Sequence, residues 1–285
     1  MKRFFLLSIL AIIFIGLFFV LKTKNKPMVS VVMPTYNRAN ILHNSINSIL
    51  NQTYKNFEFI IIDDGSIDNT KEIVSSYNDK RIRYYQNKTN KGISYSRNKG
   101  FNKARGKYIM IMDDDDISKA DRMEKQIHFL ENNPNIDVVI GQIKDFELTP
   151  LYHDQIAISL LQHNPIGNAN IMYKKEFAKK HQITYNENLI ISEDWNYWLD
   201  MLFRGAKFHA INDIILHRNI TSKKYHSQNF EDGNIHIRKK IGLYFDAKNS
   251  NTFYETTNCN RVKMISTKNL VSKPFLEYLN QTNCN

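Results

Sequence analysis

Two rhythms of apolar residues alternate along this chain. Short, nearly unbroken apolar runs stop at polar or Pro/Gly residues, and stretches with apolar side chains at helical spacing lie between them. The first kind predicts strands at Val29–Met33 (stopped by Pro34), Phe57–Ile62, Arg81–Tyr85 and Tyr108–Met112. The second predicts helices at Ile41–Leu50, near Asn69–Tyr77, and at Gly92–Ala104. Strands that alternate with helices imply an α/β domain with a mainly parallel sheet flanked by helices. Continuous apolar strands are those of a sheet covered on both faces. Further on the pattern loosens. It predicts a helix over Asp121–Asn132, a strand over Val138–Ile143, a helix over Leu151–Gln162, a strand over Ala169–Tyr173, an amphipathic helix over Glu193–Phe203 and a last strand over Phe208–Leu216. From His217 the sequence is rich in Asn and Lys and weakly periodic.

The N-terminus has a different pattern. Phe4 to Leu21 is almost wholly apolar and close to the shortest run that spans a bilayer as a helix. It ends Phe19-Val20-Leu21-Lys22, without the small residues of a signal cleavage site. This predicts a retained single-pass transmembrane helix, with residues 1–26 as anchor and linker, 27–220 as the main domain and 221–285 as a C-terminal extension of unassigned role. Lys2 and Arg3 precede the run and Lys22, Lys24 and Lys26 follow it. The slightly richer flank favours a cytosolic domain, as at a bacterial inner membrane; a Golgi-lumenal one is the alternative.

Composition adds a formal charge of +11, from 39 Lys and Arg against 28 Asp and Glu. Such an excess suits a phosphorylated substrate, an anionic membrane surface or nucleic acid. Neither zinc-finger spacing nor an aromatic ribonucleoprotein pattern is present, which removes nucleic acid. Cys259 and Cys284 have no metal-ligand spacing.

Ligands of open α/β sheets bind beyond the carboxyl ends of the strands. Three polar clusters fall there: Pro34-Thr35-Tyr36-Asn37-Arg38, Asp63-Asp64-Gly65-Ser66 and Asp113-Asp114-Asp115-Asp116. Four consecutive carboxylates repel one another and belong in solvent or on a cation; directly after an apolar strand they suit a hard divalent cation that also meets substrate phosphates. Asp-Asp-Gly-Ser is equally a turn composition. Tyr36 is open to two readings, a core or surface aromatic or, at a strand-end rim, a ring that stacks on a base. Asp194 in a dry cleft beside Glu193 would have a raised pKa, as proton abstraction requires; an acid there also suits a helix first turn. Pro34-Thr35-Tyr36-Asn37 holds no Gly, which argues against a nucleotidyltransferase phosphate loop and a GxGxxG dinucleotide site.

Taken in order, Val31-Val32-Met33-Pro34-Thr35-Tyr36-Asn37, Ile62-Asp63-Asp64-Gly65-Ser66, Asn90-Lys91-Gly92 with Ser96-Arg97-Asn98, Asp113–Asp116 and Glu193-Asp194-Trp195 resemble family 2 glycosyltransferases of the GT-A fold. The resemblance covers about Val29 to Leu216. It implies a nucleotide-sugar donor, most simply a UDP-sugar, and inverting transfer to a hydroxyl of a glycan, lipid-linked or protein acceptor. It implies a nucleotide site of Pro34, Thr35, Tyr36, Asp63, Asp64, Arg97 and Asp114. Asp113 and Asp115 would bind Mn²⁺ or Mg²⁺, with His217 a further ligand, and Asp194 would be the general base. Trp195 and Trp198 are expected in the core or pocket wall, and Gln142 to Pro165 on the acceptor side. The Gln-x-x-Arg-Trp motif of processive synthases is absent, which implies single or limited sugar addition. A non-catalytic sugar-nucleotide- or glycan-binding protein on the same fold is the competing reading.

Overall fold

A computed structural model describes residues 26–218, 230–244, 265, 268 and 270–283. The anchor expected at Phe4–Leu21 lies outside them, and no helix among the described residues is long and apolar enough to cross a membrane.

Eight strands form one sheet: β1 Val29–Thr35, β2 Phe57–Asp63, β3 Ile82–Gln86, β4 Tyr108–Ile111, β5 Ile117–Ser118, β6 Val138–Ile143, β7 Ile171–Lys174 and β8 Phe208–His217, in the order β3-β2-β1-β4-β7-β6-β8-β5. The expectation of a mainly parallel sheet needs correction. β1–β2, β2–β3, β1–β4 and β6–β8 pair in parallel, but β7 runs antiparallel to both β4 and β6, and β5 antiparallel to β8. The sheet is mixed. Periodicity reports burial on both faces, which is the same for either strand direction.

The pleat sorts side chains to two cores. Val32, Ile60, Ile62, Ile109 and Ile111 face the helices His153–Leu160 and Glu193–Phe203. Val31, Met33, Phe59, Ile61 and Met110 face the helices Leu42–Leu50 and Arg122–Asn132. Both Trp195 and Trp198 are buried in the first core. The helix Ile93–Lys103 lies so close to β1 that a Cβ on Gly100 would sit 2.4 Å from Val32 Cγ1.

β1 also continues past its expected stop, through Pro34 and Thr35. Val32 turns its carbonyl to β4, accepting from Met112 N–H at 3.1 Å. Pro34, two residues on, therefore faces the same side, beyond the last β1–β4 pair at Val32 and Ile111. Its missing N–H costs no ladder bond there.

Four elements are not predicted from the sequence: β5, the helix Lys175–Lys180, and the helices Phe230–Tyr244 and Lys273–Asn283. The described parts of the C-terminal extension are not detached from the domain. Ile237, Ile241, Leu270 and Val271 join the core beneath Glu193–Phe203. Asp154 accepts from Ser272 N at 3.0 Å, and His153 Nε2 lies 2.9 Å from Leu270 O.

Candidate active site

The carboxyl ends of β1, β2 and β4 are adjacent, so their loops share one rim. Cross-loop bonds brace it. Asn37, at φ 51°, donates its N–H to Ser66 Oγ at 2.9 Å and accepts Ile67 N–H on Oδ1 at 2.9 Å. Ala39 N–H donates to Asp68 at 3.0 Å. Tyr36, between these braces and 42% exposed, is the rim's free aromatic surface. Thr35 beneath it is buried, and its hydroxyl makes no hydrogen bond of ordinary geometry.

Asp63 and Asp64 are buried at the end of β2, and both carboxylates are engaged by the chain itself. Asp63 accepts Ser66 N–H at 2.8 Å, Gln86 Nε2 at 3.2 Å and the Tyr84 hydroxyl. Asp64 accepts Asn87 Nδ2 at 2.6 Å, Lys91 N–H at 3.0 Å and Gly92 N–H at 2.7 Å. Asp64 thereby fixes the start of the helix that carries Arg97. Gly65 must be glycine: its φ is +82°, and a Cβ would stand 2.7 Å from the Thr89 backbone.

The four aspartates turn tightly after β4. Ser45 Oγ, from the helix Leu42–Leu50, donates to Asp114 O at 2.7 Å and Asp116 O at 2.8 Å. Burial pushes the Asp114 carboxyl up to about 7; Thr35 and Arg38 oppose the shift, and Asp115 and Asp113 add to it. Asp115 is also raised, by burial and then by Asp113, against Arg38 and Arg218. Arg38 Nη2 lies 4.0 Å from Asp115.

Arg97 ties this turn to the far side of the cleft. Its buried guanidinium donates to Glu193 Oε1 at 2.7 Å and to Asp113 Oδ1 at 3.3 Å, and lies 5.1 Å over the Tyr185 ring. With its amide oxygen toward the arginine, Asn168 accepts from Nε at 3.1 Å and Nη2 at 2.8 Å. Burial alone would lower the Arg97 pKa; Tyr185, Glu193 and Asp113 carry it above its ordinary value. Next to Glu193, Asp194 accepts Asn164 Nδ2 at 3.1 Å and its neighbour Trp195 N–H at 2.7 Å. Burial, then the Glu193 charge, push the Asp194 carboxyl up to about 7, against Arg97. Ser192 caps this helix in the left-handed region, φ 59°, without a side-chain bond. Glu193 and Asp194 stand in the first turn of this helix, where its dipole also favours acids.

The chain matches the model of the family described as Glycosyl transferase family 2 over residues 30–194. An uncharacterized glycosyltransferase of Methanocaldococcus jannaschii, MJ1057, is 37% identical over 213 residues, 70% of this chain and 73% of the relative. The chain belongs to glycosyl transferase family 2. A second relative of this family 2 transferase, from Escherichia coli, is the UDP-Glc:alpha-D-GlcNAc-diphosphoundecaprenol beta-1,3-glucosyltransferase WfaP, 28% identical over 223 residues, 76% of this chain and 87% of that protein. Among solved structures, S. aureus TarS 1-349 in complex with UDP-GlcNAc shares the fold at TM-score 0.65 and 19% identity, over 84% of this chain and 70% of that one.

Of the residues singled out in the sequence, the fold brings Tyr36, Thr35, Asp63, Asp64, Arg97, Asp113, Asp114, Asp115 and Asp194 to one rim. His217 pairs across the sheet with Ile117, the residue directly after the acidic turn, and its neighbour Arg218 acts on the Asp115 carboxyl; among the described residues no three His, Cys, Asp or Glu side chains cluster closely enough to hold a cation by themselves. Sequence reasoning missed Ser45, Asn87, Asn164, Asn168 and Tyr185. Each acts through contacts with other segments of the chain, and no local pattern marks it. The segment Gln142–Pro165 supplies Asn164 to Asp194. Its Gln142, Leu148 and Gln155, together with Phe275, line a cavity of about 600 Å³.

Proposed function

We propose that this family 2 transferase moves a hexosyl or N-acetylhexosaminyl group from a UDP-sugar to a hydroxyl of a glycan or lipid-linked acceptor, with inversion, in cell-surface polysaccharide assembly. The observation that carries the reading is the Arg97 bridge from Asp113 to Glu193. It holds a cation-type acidic turn and a base-type carboxyl in one cleft. UDP-GlcNAc in TarS, and the UDP-glucose donor and diphosphoundecaprenol acceptor in WfaP's name, support the donor and acceptor classes.

In this reading Tyr36 stacks on the base over Pro34 and Thr35. Asp63 and Asp64 hold the loops around it, each carboxylate keeping a lone pair for base or ribose. A diphosphate would meet Asp113 and Asp115, whose side chains remain 29% and 15% exposed. Two carboxylates fit Mn²⁺ or Mg²⁺, because such ions take few protein oxygens and complete their shell with water and substrate phosphates. When bound, the cation supplies charge neutralisation to the leaving diphosphate. Asp194 takes the acceptor hydroxyl's proton as that oxygen bonds the anomeric carbon and the sugar–phosphate bond breaks. The diphosphate leaves with the bonding pair. Asn164 and Trp195 N–H orient the Asp194 carboxylate for that transfer. Phe4–Leu21 anchors the protein in the membrane, with the domain on the cytosolic side.

The test is nucleotide release from UDP-, GDP- and dTDP-sugars by the full chain in detergent, with Mn²⁺, Mg²⁺ or chelator, beside Asp115→Ala. Cation-dependent release of UDP alone, lost in the variant, is expected. Neither release nor cation-dependent nucleotide binding would favour the non-catalytic reading.

A further inference from the structure

The two ends of the sheet carry opposite charge. The carboxyl rim holds Asp63, Asp64 and Asp113–Asp116. At the other end, basic residues stand at strand after strand: Lys80 and Arg81 before β3, Lys55 before β2, Lys26 before β1, Lys107 before β4, Lys174 and Lys175 where the antiparallel β7 finishes, and Lys207 before β8. The register puts them at one level, because Val29 pairs with both Phe57 and Tyr108, Tyr108 with Lys174, and Val138 with both Tyr173 and Phe208. At about 4.8 Å per strand the row is roughly 30 Å wide. The helix Lys175–Lys180 adds Lys179 and Lys180 beside it.

Acids neutralise part of this edge. Arg81 pairs with Asp79 at 2.6 Å, Lys107 with Glu131 at 2.7 Å, Lys174 with Asp137 at 3.5 Å and Arg105 with Glu58 at 2.9 Å. Glu176 stands among the lysines of the short helix. Lys26, Lys80, Lys179 and Lys180 remain exposed and have no ion pair among the described residues. Lys26 lies five residues after the apolar run Phe4–Leu21, so the chain reaches the domain from that run at this edge.

We propose that this lysine-lined edge docks on the phosphate headgroups of an anionic bilayer and stands the sheet end-on, with the catalytic rim about 20 Å away, one strand length. Lysines near such a surface are attracted until salt screens them. The inference rests on the anchoring reading, because the position of the apolar run is what favours a bilayer over a soluble polyanion.

The test uses the full chain in nanodiscs of phosphatidylcholine alone or mixed with phosphatidylglycerol, with amine acetylation read lysine by lysine. In anionic discs, labelling of Lys26, Lys179 and Lys180 should fall on the order of fivefold, while Lys88 at the opposite rim is unchanged. Salt at 1 M, where the screening length is about 3 Å, should restore labelling. Lys26→Glu with Lys179→Glu and Lys180→Glu should abolish the lipid-charge dependence at Lys55 and leave donor hydrolysis intact. Equal labelling in both discs overturns the proposal. So does equal protection in neutral discs by glycerol phosphate or by a DNA oligonucleotide, which would make the edge a small-anion or nucleic-acid site. A chain that does not incorporate into either disc overturns the anchoring reading, and this one with it.

Discussion

Asp194 sits where burial and the Glu193 charge both favour its protonated form, so it titrates near neutrality rather than near 4. A general base works only when deprotonated, so kcat/KM should be flat above pH 7 and fall about tenfold per pH unit below it. Asp194→Asn should lower turnover by about 10²–10⁴-fold while nucleotide affinity, measured by calorimetry, stays unchanged. The same shift has a stability consequence. A carboxyl whose folded pKa is raised contributes stability at low pH and loses it as pH rises through about 7. Asp194→Asn should therefore raise the melting temperature more at pH 8 than at pH 5; an equal or smaller gain at pH 8 contradicts the assignment. Gly65 has the opposite character, a purely steric demand. Gly65→Ala must hold φ +82° and push against the Thr89 backbone, 2.7 Å away. It should cost at least about 2 kcal/mol in urea unfolding.

Between elements, Arg97 is the connection that matters most. It leaves the helix Ile93–Lys103, whose start Asp64 fixes, and joins the turn after β4 to the helix Glu193–Phe203. Arg97→Met leaves Asp113 and Glu193 without their shared cation and should destabilise the protein by about 3–5 kcal/mol, the cost of breaking a buried pair from one side. Arg97→Lys keeps the charge without the two-pronged reach. It should lower kcat/KM on the order of a hundredfold through misplacement of the two acids, with a smaller loss of stability. Equal activity in Arg97→Lys and wild type would remove the bridge from the account. At this scale the sequence is informative about existence and silent about direction. All seven predicted strands, among them the apolar runs Phe57–Ile62 and Tyr108–Met112, form close to where their pattern predicts. The reversal of β7 leaves no trace in Ala169–Tyr173, because a doubly covered strand reads the same both ways.

At the scale of the whole molecule, the polar rim was legible because its residues occur as short runs at strand ends, where α/β topology gathers them. The supports were not. Ser45 holding the acidic turn, Asn164 on Asp194 and Tyr185 under Arg97 are pairings across 30 to 88 residues of chain, visible only in three dimensions. The segment Gln142–Pro165, which lines a cavity together with Phe275, carries no comparable signature in its composition. The central claim is that one cleft performs a single inverting displacement, with Asp194 as its base. The most direct test is proton NMR of the sugar released from an α-linked UDP-sugar, with wild type and Asp194→Asn followed from first turnover. The account predicts a β-configured product at early times and none from the variant. An α-configured first product, or undiminished release by Asp194→Asn, would contradict it.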